Sequence, residues 1–130
     1  MTEGGCLCGQ VRYAADGFSD IFKCHCSKCR KAFGGASSAA TLVARDQFSW
    51  LQGEDDIRVY EASPGFRRFF CPTCGSLLPQ YVESMDQWWI PAGTLDEDPG
   101  VPLMAHLYVD SKAEWEVIAD GLTQYPESFL

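Results

Sequence analysis

The sequence predicts a mainly β fold, a sandwich or open barrel of antiparallel sheets with one short helix. Short β-branched or aromatic runs recur at roughly ten-residue spacing. Gly, Pro, Ser and Asp cluster between them as turn residues. Only one segment, Ser27 to about Phe33, carries helix signals at both ends.

Taking the elements in order, Gln10 to Ala15 reads as a strand, with Val11 and Tyr13 alternating against Gln10 and Arg12. Ile21 to Cys24 is a short strand leading into a cysteine cluster. Ser27 is placed to N-cap a helix running to about Phe33, which Gly34-Gly35 then ends. Strands are then expected at Ala39 to Ala44, Phe48 to Leu51, Ile57 to Glu61 and Phe66 to Phe70. Arg45-Asp46, Gln52-Gly53-Glu54 and Ser63-Pro64-Gly65 supply the turns. Leu77 to Val82, Trp88 to Ala92, His106 to Val109 and Trp115 to Ile118 continue the series. Asp96 to Pro102, with two prolines and a glycine, is a loop.

The 130 residues suffice for one domain, residues 1–130, with a sizeable core. A hydrophobic fraction of 46% with 13% aromatics excludes wholesale disorder. No apolar run approaches the roughly 18 residues needed to span a bilayer, and Met1-Thr2-Glu3-Gly4-Gly5 lacks the basic and apolar regions of a secretory signal. The expected compartment is the reducing cytoplasm. A net charge of −8 argues against nucleic acid or an anionic membrane as partner. The charge is uneven: Lys23, Lys28, Arg30 and Lys31 surround Cys24, Cys26 and Cys29, whereas Lys112 is the one basic residue after Val82.

Seven cysteines without a secretory signal point to metal chemistry, and an odd number fits poorly with complete disulfide pairing. Cys71-Pro72-Thr73-Cys74-Gly75 has the form of a metal knuckle, in which turn amides face the sulfurs and glycine tolerates a left-handed φ. Two thiolates half-fill a tetrahedral zinc. Cys6-Leu7-Cys8-Gly9 is the best candidate to complete it, tying the N-terminal segment to the later sheet. The competing reading of Cys71 and Cys74 is a redox dithiol.

The remaining three, Cys24, Cys26 and Cys29, can wrap one face of a second metal and leave its fourth position to water, substrate, a histidine or a carboxylate. Three protein ligands with an exchangeable fourth is the catalytic arrangement of zinc. The nearby cations and a helix start would lower the thiol pKa values. The competing reading is a second structural site with a borrowed ligand. His25, flanked by ligands, is awkward to direct inward and reads as an orienting or surface residue; His106 reads as a satisfied core or rim histidine. Trp88 and Trp89 should face opposite sides of a strand. Phe33, Phe69 and Phe70 read as core, and one of Arg67 and Arg68 should project toward the open site.

Gly4-Gly5-Cys6-Leu7-Cys8-Gly9-Gln10-Val11-Arg12-Tyr13, Cys24-His25-Cys26-Ser27-Lys28-Cys29-Arg30-Lys31 and Phe70-Cys71-Pro72-Thr73-Cys74-Gly75-Ser76 together resemble the signatures of the glutathione-dependent formaldehyde-activating (GFA) family, with its centromere protein V/GFA-type zinc domain. Ser63-Pro64-Gly65, Ala92-Gly93-Thr94-Leu95-Asp96 and the segment from His106 to Trp115 extend the similarity along nearly the whole chain. The resemblance implies a β-tent (Mss4-like) fold and two zinc ions per chain. Cys6, Cys8, Cys71 and Cys74 would hold the structural ion; Cys24, Cys26 and Cys29 would hold the catalytic one. It further implies a carbon–sulfur lyase that joins a small thiol such as glutathione to formaldehyde or a related aldehyde. Lys28, Arg30 and Lys31 would hold a carboxylate of the anionic thiol.

Two other classes compete. One is a non-catalytic Mss4-like zinc scaffold or chaperone module. The other, methionine sulfoxide reduction, needs a nucleophilic cysteine outside a structural site, and no cysteine follows Cys74.

Overall fold

The computed structural model describes residues 1–129 and is mainly β, with eleven strands and one α-helix among them. The strands are β1 Thr2–Gly5, β2 Arg12–Ala15, β3 Ile21–Cys24, β4 Ser38–Ala44, β5 Phe48–Gln52, β6 Arg58–Ser63, β7 Phe66–Phe70, β8 Gln80–Val82, β9 Gln87–Pro91, β10 Leu103–Leu107 and β11 Thr123–Gln124. The helix, α1, is Ser27–Phe33. Three sheets form, in the orders β1-β2-β5, β11-β10-β3-β4-β9-β8 and β6-β7.

The large sheet is buried on both faces at its centre, and the sequence of β4 and β9 shows why. Val43 and Trp88, paired across the two strands, face a core made with Tyr13, Ala15, Phe48 and Ile90. Leu42 and Trp89, the next pair, face the opposite core with Phe22, Ala40 and Leu107. Successive strand residues point to opposite faces, so a continuous apolar run serves two cores. The two tryptophans thus divide between faces as expected. Stacking of Phe48 on Trp88, with centroids 4.0 Å apart, locks the small sheet onto the large one. Each such buried side chain contributes roughly 1.5–3 kcal/mol.

The N-terminal edge depends on a close approach. β1 pairs with β2, and Gly4 also bridges Leu95, beyond β9. A Cβ on Gly4 would lie 2.5 Å from the Thr94 carbonyl oxygen and 2.6 Å from the Tyr13 ring, so only glycine fits. Tyr13 Oη meets Thr94 Oγ1 at 2.7 Å, and Arg12 donates to Asp96 at 2.6 Å, fastening the same loop.

The structure departs from the sequence expectations in several places. β1 had no strand signal, because Gly4 and Gly5 disfavour one in isolation. β2 begins at Arg12, since Cys6 to Val11 forms a turn closed by Cys6 N–H to the Val11 carbonyl. The N-cap of α1 is Cys26 and not Ser27; its Sγ accepts the Cys29 N–H, and Gly34 ends the helix at φ 71°. β8 starts only at Gln80, after Pro79, which has no N–H to donate. β10 ends at Leu107 because Tyr108 adopts a left-handed φ of 56°. Trp115 to Ile118 is not a strand: Glu116 N–H closes a turn on the Ala113 carbonyl, and the last strand is Thr123–Gln124. Nor are the sheets wholly antiparallel, for β10 runs parallel to both β3 and β11. Among the described residues, no helix is long and apolar enough to cross a membrane.

Candidate metal centres

The seven cysteines fall into two groups, within each of which the sulfur atoms all lie inside 4.8 Å of one another. None is in a disulfide. The first group is Cys6, Cys8, Cys71 and Cys74. Cys6 and Cys71 are buried beside Val11 and Leu78, whereas Cys8 faces solvent. Cys6 Sγ lies 3.6 Å from Cys8 Sγ, which lies 3.8 Å from Cys71 Sγ. The turns around them aim donors at sulfur: Val11 N–H meets Cys6 Sγ at 3.3 Å. In the knuckle, Gly75 N–H bonds the Cys71 carbonyl at 2.8 Å, and Ser76 Oγ lies 3.3 Å from Cys74 Sγ while accepting Leu7 N–H. The Ser76 hydroxyl and N–H hold the Cys74 thiol near a pKa of about 5. Cys8, though the Gln10 amide lowers it, is pushed up to about 12 by partial desolvation and by its three sulfur neighbours. Four sulfurs so placed compete for charge, which is the condition a cation relieves.

The second group is Cys24, Cys26 and Cys29. Cys24 ends β3, Cys26 caps α1, and Cys29 sits one turn into the helix. Hydrogen bonding from Cys29 lowers the Cys24 pKa, and the same contact, with burial, raises that of Cys29. Two close sulfurs whose thiol pKa values are pushed apart are again a donor set suited to a soft cation.

The basic residues around this group divide. Lys28 is exposed, donates to Ser63 Oγ at 2.8 Å and lies 5.4 Å over the Phe66 ring, tying α1 to the β6–β7 hairpin. Arg30 is half-buried, its Nε buried without a hydrogen-bond partner, and Lys31 is exposed. On β7 the alternation turns Arg67 outward to Glu61 at 2.9 Å and Arg68 inward. Arg68, Phe33 and Phe69 line a cavity that reaches Cys29; contrary to expectation, Phe33, Phe69 and Phe70 are half-buried and belong to none of the three core clusters.

One constellation had little sequence signal. His25, 1% exposed, places Nε2 at 2.9 Å from Nδ1 of His106, itself 3% exposed. His106 Nε2 then lies 2.7 Å from Asp120 Oδ2. The Leu122 N–H and His106 hold Asp120 below its usual carboxylate range, so it is ionised and accepts the His106 Nε2–H. That leaves His106 Nδ1 to accept the Nε2–H of His25. His25 also donates its backbone N–H to Leu107. The residue between Cys24 and Cys26 is thus moored to β10 by main chain and side chain, and is no surface residue. The presence of just two histidines, one of them between two cysteines, was the only available hint; Asp120 carried none.

Comparison with known proteins fits this picture. The family model described as glutathione-dependent formaldehyde-activating enzyme matches residues 1–111. A Halomonas elongata protein, assigned by name to the same glutathione-dependent formaldehyde-activating class, is 31% identical over 128 residues, covering 88% of this chain and 79% of its own length. A crystal structure of a Rhodobacter sphaeroides protein superposes with a TM-score of 0.61 at 23% identity, over 78% of this chain and 99% of that one, a likeness of fold. With a family match across the segment that holds all seven cysteines, the chain belongs to the glutathione-dependent formaldehyde-activating enzyme family.

Proposed function

We propose that the chain is a zinc-dependent enzyme of the carbon–sulfur lyase type. It adds a small thiol such as glutathione to formaldehyde or a related aldehyde, or cleaves the adduct in reverse. The observation that carries this reading is the three-sulfur group at the start of α1, with Cys29 reaching into a cavity.

The donor sets fit zinc. A tetrahedron with Zn–S bonds of about 2.3 Å has sulfur–sulfur edges of about 3.8 Å; the separations of 3.6 and 3.8 Å in the four-cysteine group match it. Cys6, Cys8, Cys71 and Cys74 would hold a structural ion. Cys24, Cys26 and Cys29 would hold a catalytic one. At the latter, zinc supplies a Lewis acid able to favour the thiolate form of an incoming thiol and to polarise an aldehyde oxygen.

The chain's own residues do the rest. Cys26 caps the helix and the three sulfurs lie within 4.8 Å of one another, so the triad is already gathered. Lys28, Arg30 and Lys31, on α1 beside the triad, would supply positive charge for the carboxylates of an anionic thiol. Phe33, Phe66 and Trp89 line the cavity beside Cys29 with apolar surface, which would limit the access of water to an adduct. The reaction balances without an oxidant. A sulfur–carbon bond forms, the carbonyl π bond breaks, and the thiol proton ends on the new hydroxyl oxygen.

The test combines elemental analysis, cobalt substitution and exchange NMR of glutathione with formaldehyde. Two metal ions per chain, cobalt bands that shift on thiol addition, and exchange faster than the uncatalysed rate are expected. Cys26→Ser should remove one ion and the rate. Unshifted bands together with uncatalysed exchange would replace this reading with the non-catalytic scaffold.

A further inference from the structure

We propose that the cleft beside Cys29 takes a substrate bearing an aryl-sized apolar group and one carboxylate, the ring filling the cavity and the carboxylate meeting Arg68. This rests on the lyase reading of the neighbouring triad and names the substrate class it serves.

The cavity has a volume of about 130 Å³ and lies between Cys29, Ala32 and Phe33 of α1, Phe66 and Arg68 of the hairpin, and Trp89 of β9. A cavity of about 150 Å³ takes up a benzene molecule; this cleft is close to that size, so it suits a single ring and no larger group, and is far larger than formaldehyde requires. Aromatic walls suit a ring by stacking. The peptide groups of glutathione would exchange their hydration for few partners there, Gln80 and the two arginines being the polar side chains of the lining.

Arg68 supplies the second half of the recognition. Its Nε is buried and has no hydrogen-bond partner, in contrast to Arg67, which is paired with Glu61 in solvent. Among the described residues no carboxylate forms an ion pair with Arg68. A half-buried guanidinium at an apolar wall is stabilised by a ligand anion. It also stands at a junction: a second cavity of about 440 Å³ shares Ala32, Phe33, Arg68 and Leu77 with the first and adds the hydroxyl-bearing Ser37 and Thr94. The polar remainder of a co-substrate has a separate place to lie.

The test uses the zinc-loaded full chain and tryptophan fluorescence, for which Trp89 is the reporter. Benzoate should bind at least about tenfold tighter than acetate, which lacks the ring, and benzyl alcohol, which lacks the charge. Arg68→Gln should abolish the preference for benzoate over benzyl alcohol while leaving benzyl alcohol binding unchanged. Ala32→Phe, shown to be folded by circular dichroism, should weaken both aryl ligands. Equal binding of benzoate and acetate, or an Arg68→Gln variant with unaltered benzoate affinity, overturns the inference. Turnover of 4-carboxybenzaldehyde with glutathione places the ring on the aldehyde; turnover of 4-(mercaptomethyl)benzoate with formaldehyde places it on the thiol. Formaldehyde turnover without aryl selectivity overturns this inference and spares the lyase reading. Aryl-selective binding without turnover of any pair overturns the lyase reading and spares the cleft.

Discussion

Replacing His106 with leucine isolates what the Asp120–His106–His25 chain contributes. Leucine nearly conserves volume but removes the acceptor facing His25 Nε2, 2.9 Å away. His25 is 1% exposed, so the variant leaves its Nε2 buried without a partner. Asp120 is exposed and turns to water, contributing little to the loss. One orphaned buried polar group costs about 1–3 kcal/mol. An unfolding entropy of about 2.1 cal/mol/K per residue gives about 0.27 kcal/mol/K for 130 residues. The thermal midpoint should therefore fall by about 4–11 °C. His106→Asn, whose side-chain oxygen can stand where Nδ1 stood, should recover part of that loss. The assay is thermal unfolding followed by circular dichroism at equal metal content. A midpoint shift in His106→Leu under about 1 °C, or equal losses in the leucine and asparagine variants, would refute the hydrogen-bond reasoning.

Cys71→Ser should cost roughly 3 kcal/mol or more, because Cys71 is fully buried among Val11, Cys6 and Leu78. Cys26→Ser, half-buried and local to α1, should cost distinctly less; equal losses in chemical denaturation would make both groups structural. Gly4→Ala drives a methyl to 2.5 Å from the Thr94 carbonyl and should destabilise by about 1–3 kcal/mol, a loss that denaturant midpoints will register or contradict. Acidification should destabilise the fold in two stages. Burial first, and His106 second, hold His25 below its ordinary value, so the unfolded chain takes up that proton more readily. Its contribution is present above the unfolded pKa of about 6.5 and is lost as pH falls through the folded value. Asp120, lowered by the Leu122 amide and His106, follows the same sign below about pH 4. Denaturation midpoints unchanged between pH 7 and pH 5 would exclude the His25 stage.

The elements legible in the sequence were those whose information is local. The strand at Ile21, the helix from Ser27 to Phe33 and the hairpin turning at Pro64-Gly65 all carry their boundaries in adjacent residues. The cysteine groups were legible because ligand spacing is itself a geometric statement, and Arg67 and Arg68 because strand alternation forces a choice. What was missed depends on partners distant in sequence. β1 exists because Arg12 to Ala15 offers it an edge, and Trp115 to Ile118 is not a strand because no edge receives it. The parallel pairing of β10 with β3 leaves no trace in either segment alone. Asp120 meets His106, which that pairing sets opposite Lys23, two residues before His25.

The two cysteine groups differ in how far apart their members lie along the chain, and that difference becomes one of time. Cys24, Cys26 and Cys29 emerge from the ribosome almost together, whereas Cys8 precedes its neighbour Cys71 by 63 residues. At roughly 5–20 residues per second, the N-terminal pair waits about 3–13 seconds for its knuckle. During that interval the thiols of Cys6 and Cys8 stand without their partners, while Cys24, Cys26 and Cys29 have all emerged. The order of completion is written into the chain: the local group of three first, the group that joins distant segments last.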